Sequence, residues 1–153
     1  MRFALSRPVP LVALSPMTQV STVQRAPPTV GVIDPDPLAR EELRKLLVPI
    51  GVDVLTYDSA ESFLRVHHRK RLACLIVDLL LPGMSGLELL RQLRSSGNDV
   101  PLILLAGESD VPTAVAAIRE GATDFIEKPY MNVAVLKQVQ KLLHTKGSGT
   151  LNA

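Results

Sequence analysis

The chain has 153 residues, 46% hydrophobic and 21% charged, with 3% aromatic residues and no Trp; this suits one domain with a largely aliphatic core rather than several domains. A net charge of +2 gives no basis for a nucleic-acid binder or an anionic-membrane binder that works by bulk charge. The single cysteine, Cys74, excludes an intrachain disulfide; it lies in the apolar run Leu72 to Val77, reads as a small buried hydrophobe, and leaves the cytosol open as a compartment.

Residues 1–28 carry Arg2, Arg7 and an apolar patch from Val9 to Leu14. Prolines at 8, 10 and 16 interrupt that patch, and no small-x-small cleavage site follows it. It is also shorter than the ~20 apolar residues of a membrane span. The segment is expected to be a disordered extension, with Met17 as an alternative start.

From Pro28 onward short aliphatic runs alternate with longer amphipathic ones. Thr29–Ile33 is the first expected strand. Asp36 followed by Pro37 then reads as an N-cap and a first helical residue, and Leu43, Leu46, Leu47 and Ile50 form one stripe. Val52–Tyr57 is the second strand, and Ser59 caps a helix bearing Phe63 and Leu64. Leu72–Val77 is the third strand. Ser85 and Glu88 form a capping box that opens a helix with Leu87, Leu90 and Leu93. Pro101–Leu105 is the fourth strand; Pro112 opens the next helix, with Val115 and Ile118 expected inward and Gly121 ending it. Thr123–Ile126 is the fifth strand. A last helix is expected from about Asn132 to His144, with Val135, Leu136, Val139 and Leu142 or Leu143 along it, before a flexible tail from 146 to 153.

Five alternating strand–helix units imply an α/β fold: a five-stranded parallel sheet, doubly wound, with five helices. The expected strand order is 2-1-3-4-5, which is flavodoxin-like, and its ligand crevice lies at the carboxyl ends of strands one and three. Asp34 and Asp78 stand at those two ends, and Lys128 follows strand five, so two carboxylates and a lysine converge on one edge. Strand-end aspartates also serve simply as helix caps, which is the reading for Asp36. Two neighbouring carboxylates raise each other's pKa unless a cation is present, and Lys128 or a divalent metal would supply it.

The stretch Val77-Asp78-Leu79-Leu80-Leu81-Pro82-Gly83-Met84-Ser85-Gly86 resembles the phosphoacceptor loop of bacterial response-regulator receiver domains. Asp110-Val111-Pro112, Ala114 to Gly121, and Asp124-Phe125-Ile126-Glu127-Lys128-Pro129 resemble the FixJ-like branch of that family. The resemblance spans roughly residues 29–144 and sets an expected receiver domain over 29–145. It implies that Asp78 accepts a phosphoryl group and that Asp34, Asp78 and the backbone carbonyl of Leu80 hold magnesium. It further implies that Lys128 pairs with the phosphoryl oxygens, that Lys128-Pro129 is a cis peptide, and that Phe125 is the aromatic switch.

Two positions depart from that pattern. The family has adjacent acids after strand one, whereas Asp34 is followed by Pro35, which should weaken magnesium. Strand four in the family ends in Ser or Thr, whose hydroxyl bonds the phosphoryl group; here Ala106 ends it. Alanine leaves room for Phe125 to turn inward without phosphate, so the acidic pocket is degenerate and switching is expected to suffer more than phosphorylation.

Two function classes stay open. One is a single-domain, cytoplasmic phosphoreceiver served by a histidine kinase or histidine phosphotransferase; the other is a degenerate receiver that binds protein without phosphorylation. In both, the expected output surface is helix four, strand five and helix five, with a homodimer as one occupant. No other nucleophile or phosphate-cradling loop suggests an enzyme. The run His67-His68-Arg69-Lys70-Arg71 reads as a solvated loop rather than a nucleic-acid site.

Overall fold

A computed structural model describes residues 25–66 and 71–152, with side chains described up to 145. The expected N-terminal extension therefore lies outside the described residues except for 25–28, which are exposed and neither helix nor strand. Four residues of the basic run, 67–70, also lie outside them.

The elements are β1 (Thr29–Ile33), α1 (Pro37–Leu47), β2 (Asp53–Tyr57), α2 (Ala60–Val66), β3 (Cys74–Asp78), α3 (Gly86–Ser95), β4 (Leu102–Ala106), α4 (Val111–Arg119), β5 (Asp124–Glu127) and α5 (Asn132–Asn152). The sheet is parallel throughout, in the order β2-β1-β3-β4-β5. Every residue of β1, β3 and β4 is buried, as strands covered on both faces require.

Alternation along the strands divides the core into two layers. Val32, Ile76 and Leu105 face one way and pack with Leu43 and Leu47 of α1 and Val135 and Val139 of α5. Ile33, Val77 and Leu104 face the other way and pack with Phe63 of α2, Leu90 of α3 and Ala117 of α4.

The local signals act as expected at three helix starts. Asp36 accepts from Leu38 N with Pro37 in the first turn, Ser59 Oγ accepts from Ser62 N at 3.1 Å, and the Ser85–Glu88 capping box is complete. Gly51 and Gly121 adopt φ of +92° and +112°, turning the chain out of the preceding helical segments.

Two expectations are corrected. In α4, Val115 and Ile118 are not inward: they are 47% and 38% exposed, while Ala114 and Ala117 are fully buried. The helix packs against a layer already filled by Leu102, Leu104 and half-buried Phe125, where small side chains allow the backbone close approach. In α5, the helix continues to Asn152, past the end near His144 that the apolar pattern predicts. No proline interrupts it, and propagation adds a hydrogen bond for each residue fixed. α1 in turn closes in a 3-10 turn over Val48–Ile50.

Candidate functional site

The carboxyl edge of the sheet collects three charged side chains. Asp78 is the last residue of β3, Asp34 follows β1, and Lys128 follows β5. Since β1 and β3 are neighbours and the next connections leave on opposite faces, a crevice opens between their ends.

Asp78 is 7% exposed. Its Oδ1 accepts the N–H of Leu80 at 3.0 Å, and its Oδ2 accepts from Lys128 Nζ at 2.6 Å. Lys128 is held in turn by its backbone N–H, which donates to the Ala106 carbonyl at 2.8 Å. The Lys128-Pro129 peptide is cis.

Asp34 is 2% exposed and tightly bonded at every polar atom but one. Its N–H donates to the Tyr57 carbonyl at 3.1 Å, its carbonyl accepts from Arg40 Nη1 at 2.7 Å, and its Oδ1 accepts from Asp36 N at 2.9 Å. Oδ2 is buried without a hydrogen-bond partner, and the nearest cation, Lys128 Nζ, stands 3.9 Å away. Burial raises the Asp34 pKa above the ordinary aspartate value, and the charge of Asp78 adds to that; the Asp36 N–H and Lys128 oppose it. Burial also raises Tyr130, with the negative charges of Asp34, Glu42 and Asp78 adding to the shift.

The orphaned Asp34 Oδ2, with the Asp78 carboxylate and the nearby main chain, forms an all-oxygen donor set of the kind that suits a hard cation. Among the described residues no group of three or more His, Cys, Asp or Glu side chains is placed to hold a metal. Locally, Pro35 brings no carboxylate, and Asp36 turns its Oδ1 to the start of α1, accepting the Leu38 N–H at 3.0 Å. Leu80, two residues after Asp78, is 64% exposed.

Ala106 is 1% exposed and shares its core layer with half-buried Phe125. In the sheet register Phe125 pairs with Leu104, two residues before Ala106, and position 106 carries no hydroxyl.

Two residues that sequence reasoning does not single out also bear on the site. Arg40 braces the Asp34 carbonyl from the first turn of α1. Glu61, in the first turn of α2, reaches across to the loop after Asp78 and accepts the Met84 N–H at 2.8 Å. Neither stands in a pattern that spacing alone reveals.

Residues 30–140 match the family described as response regulator receiver domain. The chain is 40% identical over 114 residues to the transcriptional regulatory protein FixJ of Azorhizobium caulinodans, covering 74% of this chain and 54% of that protein. It is 38% identical over 114 residues to the response regulator protein TodT of Pseudomonas putida, covering 74% and 50%. A crystal structure of a response regulator receiver domain protein from Clostridium thermocellum superposes with a TM-score of 0.73 at 25% identity, over 78% of this chain and 97% of that one. The chain spans from a quarter to about half the length of such full-length relatives.

Proposed function

The chain belongs to the response regulator receiver family of two-component systems, and from that premise we propose that Asp78 accepts a phosphoryl group from a phosphohistidine on a histidine kinase or phosphotransferase. The observation that carries this reading is the meeting of Asp78, Asp34 and Lys128 at one sheet edge, with Lys128 Nζ 2.6 Å from Asp78 Oδ2.

In the reaction an Asp78 carboxylate oxygen bonds to phosphorus as the phosphorus–nitrogen bond to histidine breaks, leaving an acyl phosphate. Negative charge spreads over the transferring oxygens, so the protein contributes position and electrostatics. The Leu80 N–H fixes the rotamer of Asp78 through Oδ1. Lys128 neutralises the nucleophile at rest and, as a compact ammonium on a flexible stem, follows the new charge onto the phosphoryl oxygens. Asp34, Asp78 and the Leu80 carbonyl would hold magnesium. When bound, magnesium would neutralise phosphoryl charge, and water would make up for the carboxylate that Pro35 does not bring.

Downstream protein is expected to bind the α4–β5–α5 face, where Val115 and Ile118 are exposed; a second copy of the chain is one candidate occupant. The reading places the protein in the cytoplasm. Among the described residues no helix is long and apolar enough to cross a membrane.

The test is a magnesium-dependent mass gain of one phosphoryl group with a small phosphodonor, absent in Asp78→Ala. No gain in the parent chain overturns the reading in favour of a phosphorylation-independent binding module, for which Pro35 and Ala106 are the supporting features.

A further inference from the structure

The loop between β3 and α3 is bonded at both ends. At its start Leu80 N–H donates to Asp78 Oδ1 at 3.0 Å. At its end Gly86 N–H donates to the Leu79 carbonyl at 3.0 Å, and a Cβ on Gly86 would stand 2.7 Å from the Asp78 carbonyl. Between these ends the chain turns through Gly83 at φ +72°.

Glu61 reaches that turn from another element. Its Oε2 accepts the Met84 N–H at 2.8 Å, and the same carboxylate fills the space beside Gly83, where a Cβ would stand 2.5 Å from Oε2. The Met84 N–H lowers the Glu61 pKa below the ordinary glutamate value, so the charged form is the one that holds the loop. Ala60 and Phe63 are buried in the core, which anchors the short helix that presents Glu61.

We propose that Glu61 is a positioning residue for phosphoryl acceptance: by holding Met84 and seating against Gly83 it fixes the loop whose Leu80 orients Asp78. Glu61 touches neither Asp78 nor a phosphoryl group; it acts through five residues of backbone. The inference rests on the proposed use of Asp78 for its consequence, and on the loop contacts for its physical basis.

The experiment compares full-length parent, Glu61→Ala, Glu61→Gln and Gly83→Ala chains. Amide hydrogen exchange at Leu80 and Met84 is read by NMR, magnesium half-saturation by amide shifts, and phosphoryl uptake by mass with a small donor. Glu61→Ala should speed exchange at both amides by about two- to tenfold, the range one hydrogen bond commands. Magnesium half-saturation should rise by a similar factor. Glu61→Gln keeps an acceptor and should recover most of the Leu80 protection. Gly83→Ala evicts Glu61 and should resemble Glu61→Ala, and its amide spectrum away from the loop shows whether the fold persists. If Glu61→Ala frees Met84 alone, with Leu80 exchange and magnesium half-saturation at parental values, the proposal is overturned. If the parent takes up no phosphoryl group while Leu80 responds as stated, the positioning role stands and the phosphoreceiver reading is what fails.

Discussion

Lys128 Nζ lies 2.6 Å from Asp78 Oδ2 but 3.9 Å from Asp34 Oδ2, so the one ammonium is committed to one of two buried carboxylates. Asp34 is left with a buried oxygen that no hydrogen bond satisfies. The site therefore holds an unmet demand for positive charge, and that imbalance organises its expected responses.

Removing the ammonium should be costly. In Lys128→Ala two carboxylates would face each other with no cation, and breaking a fully buried pair costs about 3–5 kcal/mol. The Lys128 side chain is 35% exposed, so solvent screening reduces the loss, and about 1–2 kcal/mol is expected at neutral pH. Urea denaturation at pH 7 measures it; an unchanged midpoint would mean the pair contributes no net stability.

Asp34→Asn should stabilise the metal-free protein. Burial holds the folded pKa of Asp34 above its unfolded value, so the fold favours the neutral acid. A carboxyl raised in this way costs stability as pH climbs through its unfolded and then its folded pKa, and the full cost applies above both. Asparagine keeps an acceptor for Asp36 N and removes the charge. A gain of about 1 kcal/mol is expected at neutral pH, where the cost of holding a charge in this buried place is removed. The gain should vanish below about pH 3, where both states of aspartate are protonated. Thermal melts in EDTA across pH provide the comparison, and a gain constant with pH would refute the electrostatic origin.

Pro35→Asp should tighten magnesium. Pro35 is exposed beside Asp34, so an added carboxylate can enter the donor set without a buried cavity to fill. About a tenfold lower half-saturation concentration is expected from one more charged oxygen ligand. Amide-shift titration with magnesium reads this directly; parental affinity would show that the loop points residue 35 away from the site.

The sheet and its edge were legible because their signals are local and periodic. β1 and β3 appear as aliphatic runs whose ends place Asp34 and Asp78 at the carboxyl edge, and Lys128 reaches the same edge because it follows β5 of the same parallel sheet. In α4, hydrophobicity ranks Val115 and Ile118 above Ala114 and Ala117, whereas the space beneath the helix decides which side turns inward. Glu61 and Arg40 were invisible because each bonds to a backbone group, which leaves no trace in residue type. Asp36 reads as a helix cap from its place before Pro37, and its Oδ1 does accept the Leu38 N–H.

Ala106→Thr should restore a phosphate-dependent response at a cost in stability. Ala106 is 1% exposed and packs in the layer that holds half-buried Phe125, so two added heavy atoms must displace a neighbour. Overpacking of this size costs about 1–3 kcal/mol. In the parent chain a phosphoryl group on Asp78 meets no hydroxyl at the end of β4, and a ligand without differential contacts shifts no equilibrium. With Thr at 106 the hydroxyl gains a charged acceptor only when the phosphoryl group is present, and its movement makes room for Phe125. Beryllofluoride with magnesium, a mimic of the phosphoryl group, should then shift the amides of α4 and Phe125 strongly in Ala106→Thr and weakly in the parent. Equal shifts in the two chains would show that the parent couples phosphate to α4 by a route independent of residue 106.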